Sequence, residues 1–213
     1  MIGAKNPFSE IVPYLRRPLA VAALLLVPGT VLADEVIASD GVASEGAVML
    51  IGDKKQWDTF VGDEARTSAS GYLSVEPDAD ARAMRATWNG DGEAQFFLAY
   101  EKPQDYSAHL ETNSALILLL KAKQSPKKKV TLRMGCGYPC SSNADVTKLL
   151  KALPLDEWVR LSFDLKCFAD GGLNIKNVDT PMLLTTKGAM SLSIADVGIV
   201  SGLGPQATIR CRS

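Results

Sequence analysis

The run Val130-Thr131-Leu132-Arg133-Met134-Gly135-Cys136-Gly137-Tyr138-Pro139-Cys140 decides the fold class. Val130, Leu132 and Met134 alternate with Thr131 and Arg133, a period of two that gives a strand one buried and one wetted face. The strand runs directly into a Cys-Gly-Tyr-Pro-Cys loop, where Gly137 and Pro139 suit a sharp turn. The same period returns at Val159, Leu161, Phe163 and Leu165 against Arg160, Ser162 and Asp164. Ala115 to Leu120 is wholly apolar and reads as a central strand covered on both sides. Further strands are expected at 46–51, 71–76, 82–88, 94–99, 181–186 and 190–199. In the last of these, Leu192 and Ile194 share one phase and Val197 and Ile199 the other, so a bulge is expected near Ala195-Asp196. One short helix is expected where Val146, Leu149, Leu150 and Leu153 fall at i, i+3, i+4 and i+7. Asn143 or Asp145 would cap its start and Pro154 would stop it. Many short strands and a single short helix argue for an all-β, two-sheet sandwich.

Outward from this block, the N-terminus reads differently. Arg16-Arg17 precede an apolar run, Leu19 to Val27, and Val31-Leu32-Ala33 supplies small or apolar residues at its end. This is the pattern of a secretory signal over residues 1–33. The run is short and interrupted by Pro28 and Gly29, which argues against an uncleaved membrane anchor. Residues 34–45 are small and polar and read as a linker, leaving 46–213 as one domain. Cleavage after Ala33 would change the formal charge from −1 to −3. The only basic run is Lys127-Lys128-Lys129, so nucleic acid is not an expected partner, and no membrane span remains once the signal is removed. The expected location is secreted or periplasmic.

The four cysteines, Cys136, Cys140, Cys167 and Cys211, all lie in the expected mature part. An even count in an exported chain favours disulfides. Three connectivities exist; the favoured one is Cys136–Cys140, closing a tight loop, and Cys167–Cys211, tethering the tail. A zinc site is the competing reading, but the spacing lacks paired C-x-x-C and the one histidine, His109, is distant in sequence.

No nucleophile elbow, zinc-protease helix or phosphate loop is present. His109 reads as an exposed loop residue, and no catalytic residue is assigned. Carboxylates are plentiful enough that a glycosidase pair is conceivable, yet none stands in a setting that marks it out. Aromatic residues are few, which makes each informative. An aromatic face can stack on the apolar side of a pyranose ring while amides and carboxylates take the hydroxyls. Trp57, Trp88 and Tyr138 are the leading candidates, with Tyr72 and Tyr100 behind them. Asn89 joins them, because Asn89-Gly90-Asp91-Gly92 follows Trp88 as a polar, glycine-rich loop that is otherwise a plain hairpin turn. Trp158, at the start of a strand, reads as core.

Between Val130 and Ile199 the ordered set Cys-Gly-Tyr-Pro-Cys (136–140), Trp158-Val159-Arg160-Leu161, Leu165-Lys166-Cys167-Phe168, Thr180-Pro181 and Leu192-Ser193-Ile194-Ala195-Asp196-Val197 resembles a known family. Upstream, Arg85-Ala86-Thr87-Trp88-Asn89-Gly90 and Asn113-Ser114-Ala115-Leu116 add to it. It is similar to the galactose-binding-like domain at the C-terminal end of ExoP-type exo-β-glucosidases of glycoside hydrolase family 3. The resemblance implies a jelly-roll β-sandwich related to carbohydrate-binding modules. It implies no catalytic residues, because the acids of that family lie in preceding domains. Folds of this kind often hold a structural calcium; no ligands for one are assigned here.

The functional expectation is therefore a non-catalytic, exported carbohydrate-binding module for a β-glucan or related polysaccharide or oligosaccharide. A glycoside hydrolase or an envelope protein is a further expected partner. The alternatives are an envelope interaction or structural module that binds no sugar, and a cryptic glycosidase.

Overall fold

The computed structural model describes residues 33–62, 64–79 and 81–210. The expected signal over 1–33 lies outside these except for its last residue, Ala33, and Cys211 lies outside them as well. No helix among the described residues is long and apolar enough to cross a membrane.

Among the described residues, fourteen strands and three short α-helices follow in the order β1 (Glu35–Ser39), β2 (Val42–Ala43), β3 (Ala47–Asp53), β4 (Gln56–Phe60), β5 (Arg66–Thr67), β6 (Leu73–Pro77), β7 (Met84–Trp88), β8 (Ala94–Tyr100), α1 (Ser107–Glu111), β9 (Ala115–Gln124), β10 (Val130–Gly135), β11 (Ser141–Asp145), α2 (Thr147–Lys151), β12 (Trp158–Asp164), α3 (Leu165–Asp170), β13 (Thr180–Thr186) and β14 (Met190–Val200), with a single 3-10 turn, Gly204–Gln206, after them. One sheet has the order β12-β9-β14-β7-β6-β5, with β1 pairing β14 and β2 pairing β1; the other runs β11-β10-β13-β8-β3-β4. The two sheets pack as a β-sandwich. Leu116, Leu118 and Leu120 of β9, Ala86 and Trp88 of β7, Phe96 and Leu98 of β8, and Leu132 and Met134 of β10 meet between them, all at most 1% exposed.

The long alternating strands stand where the pattern put them. The expected bulge is present: the pairing of β14 with β9 shifts register between Ile194 and Asp196. That shift lets Leu192, Ile194, Val197 and Ile199 all reach the core. The helix forms as α2. Asp145 Oδ1 accepts from the Thr147 amide at 3.0 Å and from its hydroxyl at 2.6 Å, closing the first turn. Val146 and Leu150 are buried below it.

Four expectations need correction. The single expected helix is joined by two more, α1 and α3, the latter starting at Leu165 where the alternation continues the strand; each is only five or six residues, too short to show a helical period. Residues 34–45 are not a linker: β1 pairs with Val197–Ile199 of β14, and Ile37 is fully buried. The apolar stretches Val36-Ile37-Ala38 and Val42-Ala43 are too short to show this strand by their pattern. Trp158 is not core; it is 39% exposed. Leu161 and Phe163 hold the inward phase of β12, so Trp158 faces out, where the Lys121 ammonium lies 4.9 Å from its ring centroid. His109 is not an exposed loop residue: it sits on α1 with its ring edge-on to Tyr106 and its Nε2 3.1 Å from Glu35 Oε2.

Candidate functional site

In the six-stranded sheet, inward and outward side chains alternate, and the outward ones line up across the strands. One outward row, read from the pairings, is Phe60–Leu50–Phe97–Leu183–Arg133–Asn143. The next is Gly52–Gln95–Thr185–Thr131–Asp145. Phe97 and Leu183 are 9% and 7% exposed yet stand outside the core cluster, because they face away from the second sheet. They form an apolar floor flanked by the polar side chains of Gln95, Thr185 and Arg133.

A groove of about 870 Å³ runs over this floor. That volume is in the ordinary range for a small-molecule site, roughly 300–1,000 Å³. Trp57 and Tyr138 wall it, with Asp58, Glu93 and Asp179 along the sides. Four inter-strand steps separate β4 from β10. The two aromatic walls are therefore set about 15–20 Å apart across the sheet.

Each wall has its own support. Trp57 belongs to the edge strand β4 and is 49% exposed. Its carbonyl oxygen accepts a hydrogen bond from Gln95 Nε2 at 3.0 Å. Tyr138 is fully exposed at the tip of the Cys136–Cys140 disulfide loop. Inside that loop the Cys136 amide donates to Cys140 O at 3.0 Å and the Cys140 amide to Gly137 O at 2.7 Å. Gly137 takes a φ of +86°, which a side chain would strain. From outside, Asn177 Nδ2 donates to Cys136 O at 3.3 Å. The favoured Cys136–Cys140 pairing is thus present; Cys167 is also disulfide-bonded, while Cys211, its expected partner, lies outside the described residues.

Charge in the groove is mixed. Arg133, which lines the groove, donates from Nε to Asn143 Oδ1 at 2.8 Å, which ties its guanidinium to the neighbouring strand β11. Glu93 is engaged by Lys187 at 3.1 Å. At the hairpin behind Trp57, Asp53 is fully buried. Burial alone would raise its carboxyl, but the Lys55 and Ser70 amides and the Ser68 and Ser70 hydroxyls outweigh it and hold the group at about 2.

Of the sequence candidates, the groove unites Trp57 and Tyr138 and excludes the rest. Trp88 is 1% exposed. It shares the inward phase of Met84 and Ala86, and its Nε1 donates to Ala94 O on the opposite sheet at 3.0 Å. It bridges the sandwich and offers no face to a ligand. Asn89 closes its own turn, accepting from the Asp91 amide at 2.9 Å and donating to Gly71 O at 2.9 Å. Tyr72 lies against the core edge, and Tyr100 donates to Glu35 in a separate polar cluster. Phe97, Leu183, Gln95 and Arg133 were not singled out by sequence. The alternation marked Arg133 as outward, but the adjacent apolar pairs Phe96-Phe97 and Leu183-Leu184 gave no sign of which member faced the groove. Among the described residues no group of three or more His, Cys, Asp or Glu side chains converges on a metal-sized site.

The comparisons agree on the architecture. Residues 48–199 match the Exop_C family, described as galactose-binding domain-like. The extra C-terminal domain of the exo-1,3/1,4-β-glucanase ExoP from a Pseudoalteromonas species superposes with a TM-score of 0.62 at 17% identity, over 78% of this chain and 92% of that one. Against the whole ExoP enzyme the TM-score is 0.66 at 14% identity, over 87% of this chain but only 22% of the enzyme. This chain thus spans about a fifth of that enzyme's length. The family 30 carbohydrate-binding module of a Clostridium thermocellum cellulosomal cellulase gives 0.56 at 13% identity, over 80% of this chain and 98% of the module. No curated protein matches the sequence. At such identities the structural likenesses establish fold alone; the family match covers well over half of the chain, and the chain belongs to the Exop_C family of galactose-binding-like domains.

Proposed function

We propose that this protein is an exported, non-catalytic carbohydrate-binding module for a β-glucan or related glycan. The observation that carries this reading is the groove itself, with exposed Trp57 and Tyr138 at its two walls and a floor of Phe97 and Leu183 edged by Gln95, Arg133 and Thr185. The apolar C–H face of a pyranose stacks on an indole or phenol ring, while its equatorial hydroxyls hydrogen-bond to the polar edge. An extended β-linked chain advances by about one strand spacing per sugar, so the floor suits roughly four residues laid across the strands. The carbohydrate-binding-module neighbours and the glucanase context of ExoP support a glucan ligand. The Cys136–Cys140 disulfide and the signal-like pattern of residues 1–33 support export to an oxidising compartment.

Calorimetry against a ladder of soluble β-glucan oligosaccharides, with galactans as comparison, tests the reading. Affinity should rise with chain length until both aromatics are reached, at about four sugars. Trp57→Ala and Tyr138→Ala should each weaken binding by at least about fivefold, as truncation of an anchoring aromatic does. Absence of heat with every glycan at millimolar concentration would remove the proposal.

A further inference from the structure

We infer that Gly52 and Gln95 are positioning residues for Trp57, which they hold on the groove; this rests on the groove being the glycan site. Gly52 occupies an outward position of β3, directly opposite Gln95 of β8. At any other outward position a side chain would fill the space above the sheet. Here the backbone of Trp57 fills it. A Cβ built on Gly52 would lie 2.2 Å from Trp57 O, 2.4 Å from its carbonyl carbon and 2.6 Å from its Cα. All three are backbone atoms, so no rotamer change relieves the contact. The pairing of β3 with β4 shifts register between Ile51 and Asp53, which is where the strand folds over the glycine. From the adjacent strand, Gln95 Nε2 donates to the same carbonyl oxygen at 3.0 Å.

The hairpin behind this contact is equally fixed. Asp53 accepts from the Lys55 amide at 2.9 Å, the Ser70 amide at 2.6 Å and the Ser70 hydroxyl at 3.0 Å. Trp57 is therefore pinned by a closed turn, a bare glycine and one amide, although β4 is an edge strand with a neighbour on one side only. An exposed ring on an edge strand would otherwise lose mobility when a ligand arrives. Pinning its backbone beforehand removes part of that ordering cost from the affinity.

The test compares Gln95→Ala and Gln95→Glu with the unmodified protein. Glutamate keeps the size of glutamine but turns the donor into a charged acceptor beside the Trp57 carbonyl. Both variants should move the Trp57 indole N–H resonance in the free protein and weaken binding of soluble β-glucan about two- to tenfold. The resonance of Trp158, on β12 of the other sheet, and the melting temperature should stay unchanged. Gly52→Ala, which forces the backbone apart, should move the Trp57 resonance further. An unmoved Trp57 resonance in both Gln95 variants, wild-type-like behaviour of Gln95→Glu, or a moved resonance with full affinity would each overturn the inference. No β-glucan binding by the unmodified protein would instead sink the functional reading, while the resonances still decide whether the clamp positions Trp57.

Discussion

Asp53 shows how much one side chain can hold in place. Its buried carboxylate meets two amides and the hydroxyls of Ser68 and Ser70, so the charged form is favoured in the fold despite the loss of water. Its folded value of about 2 lies below the ordinary 3.8, so the ionised group stabilises the native state fully above about pH 4. That contribution is lost as the pH falls from about 4 towards 2. Asp34 and Asp145, lowered by hydrogen bonds from Ser201 and Thr147, act in the same direction. Thermal melts should therefore show the melting temperature dropping across this window. Asp53→Asn should lower it near neutral pH and flatten the drop; an unchanged acid profile would show that Asp53 does not carry the effect. Nothing in the sequence marked Asp53, whose partners Ser68 and Ser70 are far along the chain. Trp88 is the opposite case. Its expected place is at the ligand, beside a glycine-rich loop, yet it shares its phase with Met84 and Ala86 and is buried with them.

At the scale of elements, legibility followed apolar period. β9, β10, β12 and β14 carry clear alternation or an unbroken apolar run, and the sequence shows them. β11 reads Ser-Ser-Asn-Ala-Asp, with Ser142 its one buried residue, and β4 is largely exposed. Such edge strands bury too little to leave a pattern, and hydrogen bonds to one neighbour define them. The groove ends on these poorly signalled elements, so its walls were readable as residues but its floor was not. The disulfide loop is the exception, because cysteine, glycine and proline announce a turn directly. Closing a loop with a sequence separation of 4 should be worth about 2 kcal/mol in chain entropy. Replacing Cys136 and Cys140 together by alanine should cost that much by denaturant unfolding. It should also weaken glycan binding through Tyr138 beyond what the stability loss explains; unchanged affinity would mean that Tyr138 needs no rigid support.

At the scale of the whole sandwich, β1 is what the sequence most understated. It belongs to the eight-stranded sheet, yet its Glu35 reaches Tyr100 at the end of β8 in the other sheet, and Tyr106 and His109 beside and on α1. Burial pushes both phenols well above their usual value, so they stay neutral donors to the carboxylate. One strand thereby fastens the two layers together. A chain beginning at Asp34 would keep β1 whole, with the Asp34 nitrogen, which donates to Ile199 O at 2.8 Å in the structure, as its amino terminus. A chain that begins at Gly46 would lose the buried Ile37 and leave the phenols without Glu35. Its melting temperature should fall by roughly 10 °C or more relative to the chain from Asp34, as the loss of several kcal/mol implies for a domain of this size. Equal melting temperatures would return 34–45 to the status of a linker.

The groove floor has a consequence for how such a module can change over generations. Phe97, Leu183, Gln95 and Arg133 sit on rigid strands but outside the cluster that holds the sheets together. Substitutions there alter shape, polarity and charge under a ligand while leaving inter-sheet packing intact. Most mutations are filtered by the stability they remove; Gln95 and Arg133 largely escape that filter, whereas Phe97 and Leu183, more than nine-tenths buried, still feel it. Under the proposed function, preference for one glycan over another can then drift one side chain at a time, on a scaffold that keeps its inter-sheet packing.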